Sequence, residues 1–375
     1  MTECKFCGKK DKLISKTLQV CRDCILEGNW DEIKIHLHSV HTSVREMEKL
    51  PEQPPSIHDD KMAFQCDFCI NECFLSEDQT SYCGLRNLIK AKENELPLPT
   101  KSKGYIHGYL DANPTNCCNA WFCPAGTSNG YPVFSDYDGP EYGTYSYAAF
   151  LYGCSFDCLF CQNASHKCIS KSKLMSVEDI VNRLIDNEKI TCVCFFGGSP
   201  EPQLPFTINI AEKTLEKMEE IPKRKIRFCW EWNGSGKTDL VEKCMKIAVD
   251  TGGNIKFDLK TYHEKLNIAL CGISNNRTLA NFKYLAENYF GTRPRVPEMS
   301  GCTLLVPGYT TPNDVELIAK FISKINTKIP YSLLVFHPDY QMYDLPITSK
   351  KEAYKSLEVA KSYLENVHLG NQFLL

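Results

Sequence analysis

The chain has no apolar run of transmembrane length, which leaves no candidate for a membrane-spanning helix and no membrane partner in the reading. It also has no large excess of either charge. A net charge of −3 argues against an extended nucleic-acid-binding surface, although a local basic patch stays compatible with it. The opening Met-Thr-Glu-Cys-Lys lacks the basic-then-apolar order of a secretory signal, so a cytoplasmic location is expected. No internal repeat stands out. With 43% hydrophobic and 24% charged residues, the composition is that of an ordinary globular protein long enough for two or three domains. What the chain has in abundance is cysteine, 21 in 375 residues. In a reducing compartment disulfides are rare, so clustered cysteines read as metal ligands.

Composition separates four regions: a small N-terminal module over 1–50, a proline-rich linker over 51–62, a cysteine-rich accessory region over 63–143 and an α/β domain over 144–375. Cys4, Cys7, Cys21 and Cys24 form two C-x2-C pairs, the pattern of a zinc ribbon with four-sulfur coordination; a rubredoxin-like iron is the competing occupant. A helix is expected from Asp31 to Leu50. Its His36, His38 and His41 read as a solvated face rather than a metal site. Cys66, Cys69, Cys73 and Cys83 form a further metal quartet, for zinc or an auxiliary cluster. Cys117, Cys118 and Cys123 could, with Cys168, supply another site, while Cys192, Cys194, Cys229, Cys244 and Cys271 read as small packed hydrophobes. Six tyrosines (131, 137, 142, 145, 147 and 152) could line a substrate entrance or form a mixed core-and-rim surface. Elsewhere 63–143 shows little regular periodicity.

From residue 144 strand and helix signals alternate. Apolar β-type runs lie near 145–152, 190–196, 225–231, 254–259, 302–306 and 331–336, and amphipathic windows near 176–187, 207–220, 238–250, 276–290, 312–325 and 349–366. Ser176 with Asp179 makes a capping-box-like start for the first helix. Six β–α units in series predict a parallel sheet curved into a partial (β/α)6 barrel.

In such barrels ligand sites gather at the C-terminal ends of the strands. Each strand here is followed by distinctive residues: Cys154-Ser-Phe-Asp-Cys158-Leu-Phe-Cys161, then Gly197-Gly198-Ser199-Pro200-Glu201-Pro202, Asn233-Gly234-Ser235-Gly236, Asp258-Leu259-Lys260, Pro307-Gly308 and His337-Pro338. A C-x3-C-x2-C triplet is expected about 0.07 times by chance at this cysteine content. Three thiolates hold three irons of a four-iron cubane and leave the fourth open, the property that separates a reactive metal centre from an inert one.

On the triplet and the five further loops, residues 145–375 resemble the radical S-adenosylmethionine (SAM) superfamily. The resemblance implies that Cys154, Cys158 and Cys161 hold a 4Fe–4S cluster whose fourth iron is chelated by SAM. It implies reductive cleavage of SAM to a 5′-deoxyadenosyl radical that abstracts hydrogen from a substrate. Gly197, Gly198, Ser199, Pro200 and Glu201 would bind the methionine part, Phe160 would flank the adenine, and Asn233 would belong to the SAM pocket. The runs Gly153-Cys154…Cys161-Gln162-Asn163, Asp258-Leu259-Lys260 and Leu305-Val306-Pro307-Gly308 are similar to the activating-enzyme branch that includes pyruvate formate-lyase activating enzyme. By that analogy Lys260 faces the SAM carboxylate, Asp258 and Glu231 a polar or monovalent-cation pocket, and His337 the ribose. Trp232 stands where the branch has Thr, and Cys302 where a basic residue is common on strand five. The Cys66–Cys83 run is similar to radical SAM proteins linked by name to the Memo and AMMECR families. Expected partners are SAM, a reducing donor such as flavodoxin or ferredoxin, and a substrate that is protein, RNA or small molecule. A glycyl-radical-enzyme activase is the alternative, and a non-catalytic zinc scaffold is the alternative of another class.

Overall fold

The computed structural model describes residues 1–56, 64–92, 96–221 and 223–375, so the linker expected over 51–62 falls outside the described residues from 57 onward. The N-terminal module pairs β1 (Thr2–Glu3) with β2 (Lys10–Asp11), followed by α1 (Arg22–Glu27) and α2 (Trp30–Met47). Asp31 and Glu32 in the first turn of α2 and Arg45 in its last complement the helix dipole. β3 (Phe64–Cys66) and β4 (Cys73–Leu75) form a hairpin, and α3 (Leu88–Lys92) follows.

Residues 63–143 lacked a strand signal, yet β5 (Lys103–Ala112) is ten residues long. Gly104, His107, Gly108 and Asp111 break any simple apolar alternation, and the strand owes its existence to antiparallel pairing with β6 (Tyr145–Leu151). Gly108 is required there: a Cβ would stand 1.9 Å from the Tyr147 hydroxyl. The domain then runs β7 (Leu174–Ser176), α4 (Val177–Asp186), β8 (Ile190–Gly197), α5 (Leu204–Met218), β9 (Arg227–Trp232), α6 (Thr238–Thr251), β10 (Ile255–Asp258), α7 (Glu264–Cys271), α8 (Asn276–Tyr289), β11 (Met299–Leu305), α9 (Pro312–Ser323), β12 (Tyr331–Val335), α10 (Lys350–Lys361) and β13 (Val367–Gly370).

One nine-stranded sheet has the order β13-β12-β11-β10-β9-β8-β6-β5-β7. All neighbours from β6 to β13 are parallel, so the six expected units are present and β13 adds a seventh parallel strand. Strands covered on both faces read as continuous apolar runs, which is why their sequence signal was strong. Ser176 caps α4 by accepting from the Asp179 N–H, as its spacing predicts. Phe195, Phe228 and Trp230 stack along neighbouring strands, and the Trp230 indole N–H donates to Thr207 Oγ1 at 3.1 Å. Each such aromatic, fully buried, contributes about 1.5–3 kcal/mol.

Residues 113–144 contact the first residues of successive strands. Glu141 and Thr144 meet Thr191, Glu141 forms a buried ion pair with Arg227, Asn119 bridges Asn254 and Ser300, and Trp121 bonds Ser332 and stacks on His368. This segment therefore covers the N-terminal end of the sheet. The N-terminal module and the β3–β4 hairpin pack at the other end. Among the described residues no helix is long and apolar enough to cross a membrane.

Candidate active site

The loop after β6 is shaped before its cysteines begin. Gly153 adopts φ +79°, and a Cβ there would come within 2.7 Å of the Leu85 side chain. Asp157 and Leu159 then donate backbone N–H bonds to the carbonyls of Cys271 and Leu270, which fastens the loop to the end of α7. Beneath it lies a buried ionic knot. The Asp157 carboxylate accepts from His41 Nδ1 at 2.9 Å and from Lys167 Nζ, with Arg45 at 3.5 Å. Burial alone would raise the Asp157 pKa, but the His41 hydrogen bond and the charges of Lys167, His41 and Arg45 hold it well below the usual carboxylate range. The expected solvated histidine face is thus wrong for His41, which turns inward because Asp157 gives it a buried partner; His36 bonds the Leu18 carbonyl and His38 meets Gln53.

The three triplet cysteines line one pocket with Phe160, Gly197, Gly198, Ser199, Asn233, Asp258 and Lys260. Gly197 has φ +117°, and a Cβ on Gly198 would stand 2.2 Å from the Gly153 carbonyl oxygen, so both positions require glycine. Asn233 donates to Ser155 Oγ at 2.8 Å and approaches Cys154 Sγ at 3.8 Å. Lys260 Nζ lies 3.2 Å from Asp258 and 5.5 Å from the centre of the Phe160 ring.

Glu201 stands apart from the pocket lining. It is fully buried, accepting from Ser199 Oγ and from the Gly234 N–H at 2.7 Å, and so ties the loop after β8 to the loop after β9. Burial pushes its pKa up to about 7 against the lowering effect of those bonds. Pro200 and His337 are likewise outside the lining, and His337 Nδ1 lies 3.4 Å from the Pro338 carbonyl. Between Glu231 and Asp258 the polar pocket is filled by Lys256, whose Nζ stands 2.8 Å from one carboxylate and 3.1 Å from the other. Burial would raise Asp258, but Lys256 and Lys260 hold it at about 2. None of the six tyrosines lines the pocket; Tyr131, Tyr137 and Tyr142 are exposed.

Among the described residues, two buried polar atoms at the pocket have no hydrogen-bond partner, Gln162 Nε2 and His166 Nδ1; Trp232 Nε1 is unpaired as well, but its ring packs in the core against Phe257. Sequence reasoning missed His166, whose only local signal was its nearness to the triplet. Burial lowers its pKa to about 3, so it is a neutral ring able to donate or accept. Orphaned polar atoms beside a glycine cradle fit a polar ligand such as SAM, and three thiols on the same wall fit a cluster.

The other cysteine groups differ in spacing. A tetrahedral zinc with bonds of about 2.3 Å needs its sulfurs about 3.8 Å apart. Cys4–Cys24 and Cys7–Cys21 are each at 3.7 Å, and all four sulfurs lie within 4.8 Å of one another. Cys66, Cys69, Cys73 and Cys83 are all buried and interact electrostatically, but they do not form so tight a group. The hairpin carrying the first three meets the site directly: Asn71 donates to the Ser155 carbonyl, and Cys69 bridges to Gly236. Cys117 and Cys118 do not gather with Cys123 or Cys168; they meet Glu231 instead.

A parallel sheet with cysteines and glycine loops converging at its C-terminal ends is the architecture of a radical SAM domain, and residues 149–322 match the model of the Radical SAM superfamily. Residues 149–322, just under half of the chain, are thus a radical SAM domain, and the chain is an enzyme. Among its relatives is a Methanocaldococcus jannaschii protein whose name places it with glycyl-radical enzyme activating enzymes, 26% identical over 229 residues, 58% of this chain and 85% of that one. The pyruvate formate-lyase 1-activating enzyme of Escherichia coli K12 is 23% identical over 203 residues, 53% of this chain and 76% of that one. A domain of pyruvate-formate lyase-activating enzyme from Bacteroides vulgatus overlaps 48% of this chain and 98% of its own, at 18% identity and a TM-score of 0.39, too low to add to the fold argument.

Proposed function

We propose that the protein holds a 4Fe–4S cluster on Cys154, Cys158 and Cys161 and binds SAM against it. When bound, the cluster supplies the electron that cleaves SAM to methionine and a 5′-deoxyadenosyl radical able to abstract a substrate hydrogen. The observation that carries this reading is the convergence of three thiols, a glycine cradle and the orphaned polar atoms of Gln162 and His166 on one pocket. Gly197 and Gly198 give the methionine end close access to backbone groups, Lys260 offers a positive charge to its carboxylate, and Phe160 offers an apolar face to the adenine. Gln162 and His166 are the pocket residues with hydrogen-bonding capacity to spare. His337 stays a proposed ribose contact that loop closure would have to bring in, and Pro200 and Glu201 act by shaping the loop.

The N-terminal four cysteines fit zinc as a structural ion, and the Cys66 quartet fits an auxiliary cluster. The substrate is a protein, RNA or small molecule, with a reducing protein such as flavodoxin or ferredoxin as electron source and a cytoplasmic setting. The names of both relatives favour a second reading, activation of a glycyl-radical enzyme. Anaerobic reconstitution followed by dithionite and SAM should yield 5′-deoxyadenosine. Wild-type protein with verified iron and sulfide that makes no more than a Cys158→Ala control would overturn the proposal. Zinc without iron or sulfide would favour the scaffold alternative.

A further inference from the structure

We propose that Cys117, Cys118 and Glu231 bind one zinc-class divalent cation inside the barrel, a site separate from the cysteine triplet and from the N-terminal four. The ligand atoms of these three residues all lie within 4.8 Å of one another, and Cys117 Sγ stands 3.0 Å from Glu231 Oε1. A sulfur and an oxygen bound tetrahedrally to zinc stand about 3.5 Å apart, so small movements complete the geometry. Two sulfurs and one carboxylate oxygen are a donor set that selects zinc over magnesium or calcium.

The donors are held in place from outside the set. The second Glu231 oxygen is fixed by Lys256 at 2.8 Å. The Cys118 carbonyl accepts from Ser332 Oγ at 2.9 Å, and the next residue, Asn119, is clasped by Asn254 and Ser300. The cysteine pair therefore reaches Glu231 on a backbone pinned to β11, β12 and the residue that precedes β10. Charge closes as well: two thiolates and a carboxylate carry −3, which a divalent ion and Lys256 cancel. Binding exchanges two thiol protons for two metal–sulfur bonds, with no change of oxidation state. Three protein ligands rather than four is the count of a zinc that keeps a position for water or substrate. Glu231, Lys256 and Cys302 also line the pocket, so the ion would sit at its inner wall.

Elemental mass spectrometry counts zinc separately from iron on anaerobically purified full-length protein. Cys117→Ser/Cys118→Ser should lose about one zinc per chain, and Cys7→Ser/Cys24→Ser should lose a different one, so that the losses add. On unmutated protein, iodoacetamide should spare Cys117 and Cys118 when zinc is present and label both after chelation, whether or not the variants fold. Unchanged zinc in a folded Cys117→Ser/Cys118→Ser variant, or equal labelling with and without zinc, would overturn the site.

Discussion

Asp157→Asn tests the ionic knot beneath the cysteine loop. The side chains of Asp157, Arg45 and Lys167 are 0%, 1% and 2% exposed. Arg45 keeps other partners after the change, since it donates to the carbonyls of Pro51 and Tyr82 and stacks on the Tyr82 ring. Among the described residues, Lys167 keeps the Tyr340 ring and no second carboxylate. The variant therefore leaves an ammonium buried without its anion, a loss of about 3–5 kcal/mol. With an unfolding entropy of about 0.8 kcal/mol/K for a chain of this size, about 4 kcal/mol lowers Tm by about 5 °C if the chain melts as one unit. Lys167→Met on top of Asp157→Asn removes the stranded charge and should recover part of the loss, a coupling of about 0.5–3 kcal/mol in the double-mutant cycle. The knot also predicts acid sensitivity. A carboxyl held below its unfolded pKa contributes stability at neutral pH that fades as pH falls below about 4. Calorimetry with iron and sulfide counts on the same samples is the assay. An Asp157→Asn protein that melts within about 1 °C of wild type with full cluster loading would refute this account of the loop.

Three further outcomes follow from the same geometry. Glu201 has a folded pKa of about 7 above its ordinary value of 4.5, so wild-type stability should fall as pH rises from about 5 to 8. Glu201→Gln should lack that segment of the pH profile, and parallel melting curves for the two proteins across the range would contradict it. Gly198→Ala places a Cβ 2.2 Å from the Gly153 carbonyl oxygen and 2.6 Å from the His166 ring, so SAM affinity in equilibrium dialysis should drop by about tenfold or more (about 1.4 kcal/mol). Lys256→Met leaves Glu231 and Asp258 without the cation between them and should cost about 3–5 kcal/mol. Its deficit should be smaller at pH 5 than at pH 8, because protonating one carboxylate relieves their repulsion; an equal deficit at both would count against the arrangement.

Much of the barrel was readable because parallel strands buried on both faces produce unbroken apolar runs, such as Ile190–Phe196, that turn chemistry cannot mimic. The cysteine triplet and the glycine loop were readable for a different reason: their chemistry is local, carried by spacing or by backbone freedom. β5 was not readable, since its polar and glycine residues gain their pairing only from β6. His41 was misread because α2 alone shows three polar histidines at helical spacing, and nothing within it announces a buried aspartate 116 residues away. Lys256 was invisible for the same cause. A lysine in a strand reads as an edge or solvent residue until two carboxylates from its own and the neighbouring strand are seen to surround it.

Those long-range partners change what the first third of the chain is for. His41 and Arg45 come from α2, Asn71 from the β3–β4 hairpin, and all three reach the loop that carries the cysteine triplet. The ribbon is tied to the barrel as firmly, through the bidentate Arg22–Asp314 pair and the Tyr309 hydroxyl, which accepts from the Ser15 N–H and donates to the Val20 carbonyl. A module meant chiefly to seize nucleic acid or a second protein would keep its polar groups free at the surface. Here His41, Arg45 and Arg22 are instead committed to ionic contacts with the barrel domain. Residues 1–50 and the cysteine hairpin are therefore part of the scaffold that holds the loop of Cys154, Cys158 and Cys161 in place.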